Sequence, residues 1–474
     1  MLKNGKLISF EQSADFYFRR GDSYAEKKEY LMALNMYWTG AEKRPKFYEG
    51  WQKISGLYAQ LGRFDLSNRV LLNCLWHCDE VPPDMNYDLG SNFIGLHEYE
   101  WAMAFFERYA QESQDKAAAQ KVDILKAIGQ MQPEDGADEG YALDDELELK
   151  QLSYVIEMQA QQLIKRGKLS TAKELLLQSS EILPNALKLP EILTEVYLKM
   201  GCLQECRELA KSILIQDGGN IAAHCALLHI KRKENPKSRG IRSSLKALKN
   251  CVPGSGKEAY AAAVALDSYG LHREAKSFFE KALKEDPCNT AFMHGAAVNC
   301  YYAGSFDEAE ALWRDLASIL RGDPVAAYYA ALVQEERGEP IKLPYEFDLP
   351  DQEKVLALSR IRRAGNESDL ELLERDERLY RSILWAIYYG EENLKPLMIE
   401  LMARYFVFEA PDVLRDFLLQ PDQHLENKQK AADELSRIGV CQPYYTLMDS
   451  GLAEVFDDSQ EDLYLTSDWS GDEF

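Results

Sequence analysis

The residue pattern predicts an all-α fold of helical hairpins packed side by side, and three observations carry that expectation. Gly270-Leu271-His272-Arg273-Glu274-Ala275 is answered 34 positions later by Gly304-Ser305-Phe306-Asp307-Glu308-Ala309, with Phe279 matched by Trp313 and Ala263 by Ala297. A fixed period of this length marks stacked two-helix units, each unable to bury its apolar face alone. Apart from Gly218-Gly219, the glycines fall singly, many of them at expected helix turns, instead of clustering as a phosphate cradle. Beyond Asp351 the period is lost, yet Leu379, Tyr380, Ile383, Leu384, Ile387 and Tyr388 still recur at helical spacing.

In chain order, the first copy begins at Ala14 and carries Tyr17, Gly21, Tyr24, Ala33, Tyr37, Gly40 and Pro45. Trp51, Ser55, Tyr58, Ser67, Leu71 and Cys74 answer 34 residues on, with Gly62 at the inter-helix turn. A small residue lets two helices approach, and large neighbours fill the ridge beside that contact. Proline stops one helix before the next hairpin. A third copy holds Gly90, Phe93, Ala102 and Phe106, and Ala117–Met131 reads as a capping helix. Glu134 to Glu148 then holds eight acids and no base, the composition of a solvated linker.

Periodicity resumes with Ala160, Leu163, Gly167, Ala172 and Leu176, then Thr194, Tyr197, Gly201, Cys206 and Ala210. Asn220–Cys251 is a degenerate copy, and Gly256–Asp323 holds two regular ones, closed by Ala275 and Phe279, then Ala309 and Trp313. Pro344 and Pro350 bar a continuous helix through Ile341–Pro350. Four to six helices are expected from Asp351 to Gly439.

The order of small residue, aromatic, turn glycine, alanine, aromatic, alanine and proline resembles the tetratricopeptide repeat family over about two thirds of the chain. The resemblance implies a right-handed superhelix of hairpins that binds proteins through its concave face. The resulting division is an N-terminal array with a cap (14–131), an acidic linker (132–150), a second array (151–340), a C-terminal helical domain similar to HEAT-type pairs (351–440) and an acidic tail (441–474).

Composition narrows the function classes. The chain has 474 residues, of which 46% are apolar and 28% charged, and its net charge is −23. That balance repels nucleic acid and anionic membrane on average. No run approaches the roughly 20 apolar residues of a membrane span, and the first residues lack a secretory apolar core. Nine dispersed cysteines suit a reducing compartment, so a cytoplasmic protein is expected, and the lack of targeting elements together with lean loops points to a bacterial one.

No phosphate loop, nucleophile elbow or zinc-protease helix is present, and no catalytic residue is assigned. The pairs Cys74/Cys78, Cys202/Cys206 and Cys225/His229 each fall short of a four-ligand zinc site, so no metal and no cofactor are expected.

In the resembling architecture the first helix of each hairpin lines the groove. Phe18 and Tyr87 occupy such positions in the first array, and Tyr260, Val264, His294, Val298 and Tyr301 in the second. An aromatic and aliphatic groove suits an extended or helical apolar peptide, whereas packing against the next repeat requires the same residue types. A basic stretch of Lys231, Arg232, Lys233, Lys237, Arg239 and Arg242 offers a face for an acidic partner or for the chain's own acidic tail, 456–474.

The function expected is a non-catalytic adaptor or scaffold holding a peptide or protein segment in the groove. The alternatives are a sensor closing around a small peptide or acidic effector, and a nucleic-acid regulator acting through residues 231–249.

Overall fold

The computed structural model describes residues 12–114, 119, 121–122, 146–165, 167–183, 186, 188–235, 239–335, 341–366, 376–421, 423–441, 444–448 and 451–455. The expected linker up to residue 145, most of the capping helix and the tail from 456 lie outside these residues. The fold is all-α, with one two-stranded sheet. The chain divides into two compact units. One comprises Met1–Met131, Ala317–Tyr328 and Asp348–Phe474, and the other Gln132–Leu316 and Tyr329–Phe347.

In the first unit, helices α1 (Ala14–Glu26), α2 (Tyr30–Lys43), α3 (Tyr48–Gln60), α4 (Phe64–His77), α5 (Asp84–Gly95) and α6 (Tyr99–Ser113) form three hairpins. Ring-against-glycine contacts lock them. A Cβ added at Gly21 would lie 2.4 Å from the Tyr37 ring, and one at Gly40 2.6 Å from Phe18. Phe18 also fills the space over Gly50 of the next hairpin, where a Cβ would come within 2.6 Å. The sharp turn inside a hairpin needs one residue in the left-handed region. Gly62 supplies it at φ 70°, whereas Lys28 and His97 adopt it at φ 62° without glycine's freedom. Glu29 and Arg63 donate their backbone N–H groups to the Tyr24 and Tyr58 carbonyls five residues back, closing equivalent turns. Trp51 Nε1 donates to the Pro45 carbonyl at 2.7 Å, tying the end of one hairpin to the next.

The same unit takes in residues distant in sequence. Arg69 and Asn73 of α4 donate to the buried Asp416 carboxylate at 2.7 and 3.2 Å, and Tyr388 donates to its other oxygen at 2.8 Å. The Arg69 charge and these donors hold the Asp416 carboxyl below the usual carboxylate range despite burial. Tyr58 donates to the Ile319 carbonyl at 2.8 Å, and Arg321 pairs with Glu42.

From Asp351 to Arg437 there are five α-helices among the described residues, Asp351–Asn366, Glu377–Tyr389, Lys395–Tyr405, Ala410–Leu418 and Leu425–Arg437. An antiparallel hairpin of β1 (Tyr444–Met448) and β2 (Gly451–Val455) follows. It corrects the reading of 441–474 as wholly tail. Tyr444 and Leu447 are buried, and Thr446 Oγ1 donates to the Leu418 carbonyl at 2.9 Å.

The second unit holds α7 (Glu146–Lys165), α8 (Leu169–Ile182), α9 (Lys188–Met200), α10 (Leu203–Gln216), α11 (Ile221–Glu234), α12 (Arg239–Lys249), α13 (Gly256–Asp267), α14 (His272–Glu285) and α15 (Thr290–Tyr302). Gly167, Gly201, Gly270 and Gly304 take the left-handed turn position at φ 71–79°. The degenerate copy is a hairpin as well, α11 with α12, because Ile221, Leu228, Ile241 and Leu248 share one buried apolar cluster. Ala275 and Phe279 of α14 are buried, as are Ala309 and Trp313 on the following helix. No helix among the described residues is long and apolar enough to cross a membrane.

Candidate functional site

The first helices of three consecutive hairpins in the second unit, α9, α11 and α13, border an open trough of about 530 Å³. Its walls mix apolar residues (Leu198, Val264) with charged or polar ones (Glu191, Glu195, Arg232). Glu191 is fixed by Lys188 at 3.1 Å and by Asn220 Nδ2 at 2.6 Å. Arg232 lies over the Tyr269 ring, 5.7 Å from its centre. Cys225 also lines the trough, but burial pushes its thiol up to about 12, so it stays protonated and non-nucleophilic near neutral pH. The trough therefore has the chemistry of a contact surface. Its apolar steps and fixed charges can bind and orient a segment of another chain.

Beyond the trough, the first-helix face is covered by the chain's own non-helical segment Ile341–Phe347. Tyr302 of α15 captures Leu343 through one hydroxyl, accepting from its N–H at 2.7 Å and donating to its carbonyl at 3.0 Å. Tyr301 accepts from the Ile341 N–H at 3.1 Å, and Tyr260 of α13 donates to the Tyr345 carbonyl at 3.1 Å. His294 donates from Nε2 to the Pro344 carbonyl at 3.1 Å, while Trp313 Nε1 donates to its Nδ1 at 3.3 Å. These two partners assign the neutral tautomer with hydrogen on Nε2. Burial drives the His294 imidazole down to about 4, in agreement with that neutral form.

The Tyr345 hydroxyl donates to the buried Asp267 carboxylate at 2.7 Å, beside Asn299 Nδ2 at 2.8 Å and His272. Burial and the Asp267 charge together push the Tyr345 hydroxyl well above its usual range, so it remains a donor.

The groove residues expected from sequence separate into two kinds. Val264 lines the trough, and Tyr260 stands half-buried, stacked on Phe292 at 5.3 Å. His294, Val298 and Tyr301 are 0%, 0% and 3% exposed, which corrects their reading as open ligand contacts. The reason is the covering segment over His294 and Tyr301. Phe18 is likewise core, held between Gly40 and Gly50, and Tyr87 packs among Phe106, Tyr109 and Lys121. Of the remaining repeat positions, Ala33, Tyr37 and Trp51 are buried. Tyr17 and Tyr24 stay partly exposed, beneath Lys43 and Arg20 respectively. Asp267, Tyr302, Leu198 and Tyr269 contribute to these surfaces without matching a repeat-defining position in the sequence. The adjacent tyrosines 301 and 302 were the available signal, since a helix places neighbours 100° apart and only one suits a buried seam.

The basic stretch does not form a single face. Lys231 turns inward to Ser244 Oγ at 2.6 Å, and desolvation lowers its ammonium below the usual lysine range. Arg232 faces the trough, whereas Lys233 and Arg242 are exposed. Lys237 and the Arg239 side chain lie outside the described residues. Among the described residues no cluster of three or more His, Cys, Asp or Glu side chains gathers as a metal site.

No family model matches the chain. It is 21% identical over 326 residues to the TPR repeat-containing protein YvcD of Bacillus subtilis (strain 168), a match covering 68% of this chain and 65% of that protein's length. Among solved structures, yeast Tom70 is similar at 14% identity, covering 90% of this chain and 96% of that one, with a TM-score of 0.32. A tetratricopeptide repeat protein from Parabacteroides merdae is similar at 16% identity, covering 56% and 99%, with a TM-score of 0.28. The stacked hairpins of this chain themselves carry its assignment as a helical repeat.

Proposed function

We propose that this helical-repeat protein of tetratricopeptide type is a non-catalytic cytoplasmic adaptor or assembly scaffold, and that its second unit holds a segment of a partner protein in the trough between α9, α11 and α13. One observation carries the reading. Three consecutive first helices leave an uncovered channel of about 530 Å³ with apolar and fixed charged walls, large enough for several residues of a peptide. Arg232 and Glu191 give that channel opposite charges on different helices, which sets the direction of an entering segment.

The test uses the full chain as bait. Val264→Arg fills the trough with a charge, and Lys281→Glu alters the exposed side of the second helix α14. Loss of a stoichiometric partner by at least about tenfold with the first variant alone supports the reading, since one unfavourable group in a buried contact is worth that much. Equal binding by both variants refutes it. A small ligand that co-purifies and is lost with Val264→Arg would favour the sensor. Retention on RNA or DNA that falls steeply with salt would favour nucleic acid.

A further inference from the structure

We propose that Ile341–Phe347 is a resident ligand of the groove over α13 and α15, and that this groove accepts in trans a partner protein's non-helical segment of the same chemistry. The inference concerns the covered part of the first-helix face, which shares Tyr345 with the trough but is argued from its own hydrogen bonds. Its first support is how the segment is held. Among the described residues, 341–347 form no backbone–backbone hydrogen bond. Their main chain is bound by side chains of the groove, namely Tyr301, Tyr302, His294 and Tyr260. Main-chain capture by side chains is how a peptide groove binds a ligand, and it transfers to any segment that presents the same carbonyl and N–H groups.

The side chains supply the specificity. Leu343 is 3% exposed, Tyr345 reaches Asp267, and the Phe347 ring meets His294 edge-on at a centroid distance of 5.4 Å. Lys342 and Glu346 point to solvent, so alternate residues face inward along this stretch. The preferred partner thus carries an apolar residue, a proline, a tyrosine or another donor for Asp267, and an aromatic residue two positions further on. Asp267 Oδ1 keeps Asn299 and His272 as donors when Tyr345 leaves, whereas Oδ2 loses the Tyr345 hydroxyl, so the emptied groove favours a segment that brings a donor to that oxygen.

Covalent attachment gives the resident segment an effective concentration of millimolar order, so a free peptide competes poorly with it. The probe is a labelled peptide of residues 341–350, Ile-Lys-Leu-Pro-Tyr-Glu-Phe-Asp-Leu-Pro, with a scrambled peptide as control. Full-length chain carrying Leu343→Gly, Tyr345→Gly and Phe347→Gly should bind it at least about 100-fold more tightly than wild type does. Adding Tyr302→Phe to that variant should weaken binding by about tenfold, because both contacts to Leu343 are lost. If the triple variant melts at a lower temperature, saturating peptide should restore the transition. A triple variant that neither binds the peptide nor is restored by it overturns the proposal and makes 341–347 a fixed part of the fold. Because Tyr345 also borders the trough, binding there is read separately through Val264→Arg in a chain with Ile341–Phe347 intact, so the two readings fail separately.

Discussion

Replacing Gly21 by alanine probes the contact that joins the two helices of the first hairpin. The new methyl carbon would lie 2.4 Å from both Cδ1 and Cε1 of Tyr37, where ordinary contact begins near 3.4 Å. An overlap of about 1 Å must be relieved by moving the ring or the helix. The ring is 5% exposed, and its hydroxyl donates to Asp22 at 2.8 Å. Asp22 in turn holds Lys53 of the next hairpin at 2.7 Å. Overpacking of this kind costs about 1–3 kcal/mol, against roughly 1 kcal/mol gained from alanine's helix propensity. The net expectation runs from no gain to a loss of about 2 kcal/mol.

Gly56 provides the internal comparison. It lies within α3, and an added Cβ would meet nothing within 4 Å. Gly56→Ala should therefore stabilise by about 1 kcal/mol. Equilibrium urea unfolding followed by the fluorescence of Trp38 and Trp51, which lie in α2 and α3, reports on this region. If Gly21→Ala stabilised as much as Gly56→Ala, the interlock between ring and glycine would be refuted.

Three further outcomes are expected. His294 is held neutral at about 4, so the unfolded chain, with its ordinary value near 6.5, binds more protons between those limits, and stability falls as pH drops through that window. The contribution lost between pH 8 and pH 5 is about 2 kcal/mol, and urea midpoints at both pH values should diverge less in His294→Gln. Asp416→Ala should cost about 3 kcal/mol by urea titration, since it leaves the Arg69 charge and three further donors without their shared acceptor. Lys28→Gly should raise the thermal midpoint by relieving a left-handed residue worth about 1 kcal/mol, and a fall would show that the lysine side chain matters more than its backbone.

Hairpins were legible in the sequence because their constraints act locally. A left-handed turn favours glycine, and Gly62, Gly167, Gly201, Gly270 and Gly304 stand there. Lys28 and His97 fill the same backbone position without that signature, because tertiary packing offsets the cost. Burial of the groove aromatics was not legible. His294 and Val264 occupy comparable places on first helices, and only the distant segment 341–347 separates a covered residue from an open one. Pro344 signalled a break in helix without telling where the segment would lie. Residues 317–328 join the first unit through long-range bonds such as Tyr58 to Ile319, which no local pattern encodes. The β-hairpin carries a weak local signal: Tyr444, Tyr445 and Thr446 are good strand formers and Gly451 suits a turn, but the run is short and borders the acid-rich stretch beyond Phe456.

The most direct test of the working surface is site-specific photo-crosslinking in cells, with a photoreactive residue placed either at Ala265 in the trough or at Lys281 on the exposed side of α14. A discrete partner adduct from Ala265, absent from Lys281 and abolished by Val264→Arg, is the predicted result. Adducts from Lys281 alone would place the partner elsewhere and contradict the account.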